Sequence, residues 1–275
     1  MMALRTLRAT NAALGTSLLG AIFVITCVAI FWTPMDPLAM NLESKLHPPS
    51  LTHLFGTDEY GRDVLSRAMS GAITSTSISV VTVVLSIIFG VIIGALSGFI
   101  GGWTDRILMM VNDATLAFPG ILWGLAVMVV VGPSRVGVIA ALTFAYTPAV
   151  VRVVRGTVLS VREKEFVQAS RMIGNSEWQT LRRHVLPNCI GPVAVLASSM
   201  LGWVLLSESA LSFLGLGVPP PTATWGNMLS SARSFMQTAV WLGLVPGSFI
   251  VVTLLGTNLI GDFLRDRFDP RMQGS

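Results

Sequence analysis

The chain has 275 residues, of which 52% are apolar and only 12% charged, and its mean hydropathy is +0.71. Soluble domains carry about a quarter charged residues, so this balance excludes a freely soluble fold and indicates an integral membrane protein. The formal net charge of +4 comes without a basic stripe interleaved with aromatics, which argues against a nucleic-acid partner.

Crossing roughly 30 Å of hydrocarbon takes about 20 apolar residues. Six stretches answer to that description: 12–32, 72–100, 114–132, 136–151, 190–207 and 239–261. The second is longer than a straight crossing needs, so its last turns are expected to tilt or to project beyond the bilayer. The fourth is short, limited by Arg135 on one side and by Pro148 and Arg152 on the other, but the parity of the chain requires it. With the N-terminus inside, thirteen of the eighteen Lys and Arg fall on the cytoplasmic side, against Lys45, Arg62, Arg67, Arg135 and Arg233 outside. Both termini are then cytoplasmic.

In chain order, Arg5 and Arg8 precede an apolar run too long for a signal peptide and lacking a small-x-small cleavage site, so the first span is expected to remain as an anchor. An external segment follows, irregular through Pro34, Pro37, Pro48 and Pro49. Its end, Gly56 to Asp63, reads as a capped turn leading into a short helix toward Ser70. By itself it is a solvated loop whose Asp and Arg pair locally. Ser86, Gly90, Gly94 and Gly98 recur every four residues in the second span and form a packing seam for another helix. Gly101 to Arg106 makes a tight cytoplasmic turn. Asp113 falls near the start of the third span, where a carboxylate favours a helix N-terminus more readily than it serves as a buried functional acid.

Between the fourth and fifth spans lies a charged loop, 152–188. Leu159, Phe166, Ala169 and Ile173 follow helical spacing beside Val158 and Val161, predicting an amphipathic helix at the membrane surface. Gly174-Asn175 is a helix stop, and Ser176 can cap a second helix carrying Trp178, Leu181 and Val185. Leu186-Pro187 should end that helix before the fifth span, since the residue before proline is pushed out of helical geometry. Two short helices joined at a glycine make a rigid knob. After the fifth span, Glu208 to Gly217 is too short to cross and is expected to lie at the outer surface or to dip in and return. Glu208 is a candidate functional group or a cap at a span end.

Catalytic signatures are lacking. A phosphate-binding loop needs Lys followed by Ser or Thr, yet Lys45 precedes Leu46 and Lys164 precedes Glu165. His47, His53 and His184 are scattered loop residues, and no metal site or nucleophile elbow is legible. Cys27 and Cys189 stand alone and read as packing residues.

The loop pattern Gln168-Ala169-Ser170, Gly174, Leu186-Pro187 closely resembles the "EAA" loop of bacterial ABC import permeases, the part that docks on the ATPase subunit. Four further strings occur in the order expected of the C-type subunit of dipeptide/oligopeptide permeases: GTDEYGRDVLSR before the second span, RHVLPN from Arg183, SFLGLGVPPP with Trp225-Gly226, and the GDFLRDRFDPR tail. The resemblance implies an all-α, six-span, type I (MetI-like) permease fold. Its parts would be residues 1–70, with tail, first span and external segment, a permease domain at 71–262 holding the coupling loop 152–188, and a cytoplasmic tail at 263–275. It further implies ATPase coupling through Gln168, Ala169, Ser170, Gly174, Leu186 and Pro187, and an external gate or binding-protein contact at Glu208 and Trp225.

The implied partners are a B-type permease chain, one or two ABC ATPase subunits that bind the ATP and Mg, an extracytoplasmic substrate-binding protein and the bilayer of a bacterial inner membrane. No cofactor or metal is expected in this chain, which is read as a non-catalytic subunit. Gln168 stands where the loop's glutamate usually is, Ser170 replaces the second alanine, and His184 takes the place of an isoleucine as a loop-packing residue. The implied cargo is a dipeptide or oligopeptide, with nickel, haem or glutathione as alternatives within the same architecture. The rival class, an ion-gradient-driven carrier, fits less well because Asp113, Glu208 and Asp262 all sit near span ends in this reading.

Overall fold

The computed structural model describes the backbone of residues 2–268 and the side chains of 10–266; Arg271 and the last residues of the tail motif lie outside the described residues. Ten α-helices make up the fold: α1 (Met2–Phe31), α2 (Val64–Ile100), α3 (Gly102–Leu116), α4 (Gly120–Val131), α5 (Arg135–Arg162), α6 (Glu165–Met172), α7 (Glu177–Thr180), α8 (Leu186–Phe213), α9 (Trp225–Ala232) and α10 (Trp241–Phe268). Among the described residues five helices are long and apolar enough to cross a membrane, and α3 with α4, bent at a short break, passes the same test as a pair and would make the sixth.

The anticipated seam forms, and its partner is α5. A Cβ on Gly90 would land inside the Val150 side chain, one on Gly94 would stand 2.8 Å from the Val151 carbonyl, and one on Gly98 3.0 Å from Val158 Cβ. With lipid as apolar as leucine, nothing but close packing and hydrogen bonds drives such helices together, so small residues decide where they meet. Around the seam a single apolar core runs from Ile78, Val138, Met200 and Val204 down through Val154 and Val158 to Val167, Leu181 and Val185 in the charged loop. A second core, with Val64, Ala68, Ala223, Met228 and Leu242, closes the other end of the bundle.

Five boundaries differ from the sequence expectation. The third span is broken: α3 and α4 meet at 92° across Ala117, Phe118 and Pro119, because Pro119 has no amide to donate and drives Phe118 out of helical geometry. Asp113 therefore lies in the last turn of α3, not near a helix start. The fourth span is a full 28-residue helix, since Pro148 is carried inside it, as transmembrane helices tolerate. The expected short helix toward Ser70 is the first part of α2, started by Asp63, whose Oδ2 accepts the Ser66 N–H at 2.8 Å. Leu186-Pro187 does not end a helix. The chain is helical from Glu177 to Phe213, and a π-turn at Leu181–Val185 widens the ladder just before Pro187, where the ring would otherwise meet the carbonyl four residues back. By the same continuity α8 runs past Glu208 to Phe213, so that segment neither lies on the surface nor dips in.

If the α2–α5 seam sets the bundle, Gly90→Leu should lower the melting temperature of the purified protein or abolish its folded yield, through overpacking of the order of 1–3 kcal/mol or more. Gly20→Leu, where no atom lies within 4 Å of the added Cβ, should be silent in the same thermal-shift assay.

Candidate coupling site

The charged loop folds into a compact knob at the Gly101 end of the bundle. Helix α6 ends in a Schellman motif: the Asn175 N–H bonds to the Ser170 carbonyl at 3.2 Å and the Gly174 N–H to the Arg171 carbonyl at 3.0 Å. Gly174 takes φ +91°, a conformation that L side chains rarely adopt, which is why a glycine closes this helix. Two residues later a capping box opens α7, Ser176 accepting the Gln179 N–H at 3.3 Å while the Gln179 side chain accepts the Ser176 N–H at 3.1 Å.

Ser170 bolts the two helices together. It is buried, its hydroxyl lies 3.1 Å from the Thr180 hydroxyl, and it accepts the Asn175 amide at 3.0 Å. The serine in place of alanine is thus the centre of a small hydrogen-bonded joint. Gln168 is exposed and donates its amide to the Glu163 carbonyl at 3.2 Å, tying α6 back to the end of α5. A glutamate, an acceptor only when ionised, could not make that bond. Arg162 reaches the Gly98 carbonyl at 2.9 Å, and Arg171 lies over the Phe99 ring while pairing with Glu177 at 3.0 Å. Asp105 holds Arg155 in a two-pronged bond of 2.5 and 2.7 Å and accepts the Ser97 hydroxyl. The ends of α2, α3 and α5 are in this way fastened to one another directly beneath the knob.

The amphipathic face is not the expected one. Because α5 stops at Arg162 and α6 starts afresh at Glu165, the periodicity running from Leu159 to Ile173 does not belong to one helix. Val158, Val161, Val167, Leu181 and Val185 are buried, each buried valine or leucine of the knob stabilising it by about 1.5–3 kcal/mol. Phe166, Ala169, Ile173 and Trp178 face outward instead, and with Met172 at 88%, Ile173 at 81% and Trp178 at 64% exposure they leave an uncovered apolar cap on the tip. Leu186 is half-buried and Pro187 exposed at the root of α8. Of the joint residues, Asn175 was legible only as part of the Gly174-Asn175 helix stop and Thr180 carried no readable signal.

Glu208 and Trp225 lie at the opposite end of the bundle, and both are fully buried within the chain. The Trp225 indole donates to the Ala68 carbonyl at 3.0 Å and packs on Gly71 and Phe249. Glu208 accepts the Ser212 hydroxyl at 2.7 Å, with the hydroxyls of Ser209, Ser75 and Thr224 also directed to it. Ser75 takes the Trp225 N–H and Thr224 the Asn227 N–H on their oxygens, so both hydroxyl protons are free to turn toward Glu208. In this conformation the two residues tie α2, α8 and α9 together and present no surface to a partner. Beside them Asp58, bonded to Arg62 at 2.7 Å and facing Arg67 at 3.4 Å, makes a buried ion cluster, so the GTDEYGRD segment is no solvated loop.

The stretch of chain that holds the knob and most of the bundle is matched by a sequence family. Residues 87–274 fit the model described as binding-protein-dependent transport system inner membrane component. The chain belongs to that family. It is 40% identical over 273 residues, 99% of its length and 92% of the other protein, to a putative peptide transport system permease protein of Brucella suis. It is 37% identical to the dipeptide transport system permease protein DppC of Alkalihalophilus pseudofirmus, covering 95% of this chain and 86% of that one. The glutathione transport system permease protein GsiD of Escherichia coli is 41% identical, over 92% and 86% of the two chains. Among solved structures, an amino acid ABC transporter crystallised with histidines shares the fold, with a TM-score of 0.57 over 73% of this chain and 94% of that chain at 13% identity. The protein is an inner-membrane, multi-pass permease subunit of an ABC importer and resembles the DppC/OppC branch. Such a system supplies a substrate-binding protein and an ATPase as separate components.

Ser170→Val should leave Thr180 and Asn175 without their shared partner and destabilise the knob by about 1–3 kcal/mol, read as faster hydrogen exchange at the Val167 and Leu181 amides. Gly174→Ala, with open space around the new Cβ, should cost only the roughly 1–2 kcal/mol of a left-handed alanine. Unchanged exchange in Ser170→Val would show that the joint does not hold the knob.

Proposed function

We propose that this chain is the C-type half of a heterodimeric permease that imports dipeptides or oligopeptides, and that the knob of α6 and α7 is where ATP-driven motion enters it. The observation that carries the coupling role is the apolar tip, Met172, Ile173 and Trp178, held on a hydrogen-bonded joint and left uncovered by the rest of the chain. Exposed apolar surface of this kind marks a protein contact, and its distance from α9 suits a partner other than the binding protein. Gln168, Ala169, Ser170 and Gly174 shape the knob, and Leu186 and Pro187 root it in α8. Residues 71–262 act as the permease domain around this loop, one or two ATPase gene products seat below it, and a B-type chain completes the pathway.

The knob and both termini are cytoplasmic in this reading, which follows the distribution of Lys and Arg. The segment 33–63 and α9 then face the binding protein, and Glu208 and Trp225 serve as an internal lock beneath that surface. The peptide cargo rests on the relatives named for peptides and dipeptides; the GsiD likeness keeps glutathione, itself a peptide, as the second choice, ahead of nickel or haem. The family assignment sets aside the ion-gradient carrier.

Ala169→Arg or Gly174→Arg should abolish co-purification of the ATPase subunits while the two permease chains still purify together. Retained ATPase with cargo-stimulated hydrolysis in both variants would refute the docking role.

A further inference from the structure

Asp113 and Arg152 form an ion pair that the fold does not explain. Arg152 Nη2 donates to Asp113 Oδ1 at 2.8 Å, yet the side chains are 61% and 57% exposed. Arg152 is ten residues, about 15 Å, from the end of α5, and Asp113 lies in the last turn of α3 beside the break at Ala117–Pro119.

The surroundings say what it faces. One turn along, Leu116 and Ala149 line a cavity of about 280 Å³. Tyr146 and Ser207 share a hydrogen bond of 2.8 Å on its wall, beside Trp203. The break at Ala117–Pro119 borders the same cavity, and among the described residues no amide bonds to the carbonyls of Leu116, Ala117 or Phe118. Irregular backbone at membrane depth is tolerated only against protein or along a water-filled space. On the other side, Arg152 itself lines a second, open cavity of about 850 Å³ with Thr157, Ser160, Lys164 and Asn188, leading to the knob. Arg152 thus lies on the wall of the open cavity, and the pair stands one turn from the smaller, largely apolar one that holds Tyr146 and Ser207.

We infer that Asp113 and Arg152 are a charged station on the cargo path, where Arg152 meets a carboxylate and Asp113 an ammonium of a zwitterionic cargo. The inference rests on the peptide-importer reading and names residues for it. Empty, the two charges neutralise each other; a passing zwitterion exchanges partners with them, so neither charge is bared and the cargo is not trapped. Arginine suits the carboxylate because its planar fork can bind it with two bonds.

The test uses the full transporter in proteoliposomes with its binding protein, dialanine and glutathione as probes, and ATP hydrolysis read in parallel. Asp113→Asn and Arg152→Gln should each lower uptake by about tenfold or more while binding-protein-stimulated hydrolysis stays within about twofold of wild type. Uptake within about twofold of wild type in both variants would overturn the station and leave the importer reading standing. Uptake restored by the exchanged pair, Asp113→Arg with Arg152→Asp, would overturn it in favour of a brace between helices, as would equal loss of uptake and hydrolysis in the single variants. A wild-type complex that imports neither probe removes the peptide reading, and the station with it.

Discussion

The close approach of α2 and α5 along Gly90, Gly94 and Gly98 is the contact on which the rest of the molecule stands. In a bilayer no water is expelled when helices meet, so the backbone contact that glycine permits must supply what a soluble core gains from burial. Once α2 and α5 are that close, Gly98 and Arg162 fall within bonding distance, Asp105 reaches Arg155, and the end of the pair becomes a fixed platform. The knob of α6 and α7 sits on that platform through Arg171 over Phe99 and through an apolar core that continues unbroken into the bundle. A loop anchored so densely cannot swing alone.

That density bears on mechanism. Reversing a two-state gate from 1:99 to 99:1 takes about 5.5 kcal/mol of differential binding. The family assigns nucleotide and binding protein to other chains, so the energy must arrive through contacts at the two ends of this one. In the proposed orientation the knob receives one contribution. The other end, where Glu208, Ser75, Thr224 and Trp225 tie α2, α8 and α9 into one block, receives the second. Between them lies the bent α3–α4 pair, with the Asp113–Arg152 pair beside it.

The parts legible in the sequence were those set by local chemistry. The four-residue glycine period identified the seam, Gly174-Asn175 the helix stop, Ser176 the second cap and Asp63 the start of α2, because each depends on near neighbours in the chain. Features that depend on distant partners were not legible. Pro119 sits in an apolar run that hydropathy treats as one span, and nothing local distinguishes it from Pro148, which α5 absorbs. Pro187 looked like a stop because a π-turn, which shifts the ladder by one residue, leaves no mark on hydrophobic period. Glu208 looked like a span end because its four hydroxyl partners come from α2, α8 and the cap of α9. Phe166, Ala169 and Ile173 matched a helical period and were expected to face the membrane; the restart at Glu165 turned them outward, where they form part of the tip.

The central claim is that the knob moves as one body with the bundle end that carries it. Paired spin labels on the assembled transporter test it most directly, with one pair inside the knob at Glu165 and Arg182 and another between Arg182 and Gly215 across the bundle, each measured without nucleotide and with ATP trapped. The account predicts that the distance within the knob stays fixed while the distance across the bundle shifts. A distance within the knob that changes with ATP while the one across the bundle does not would contradict it.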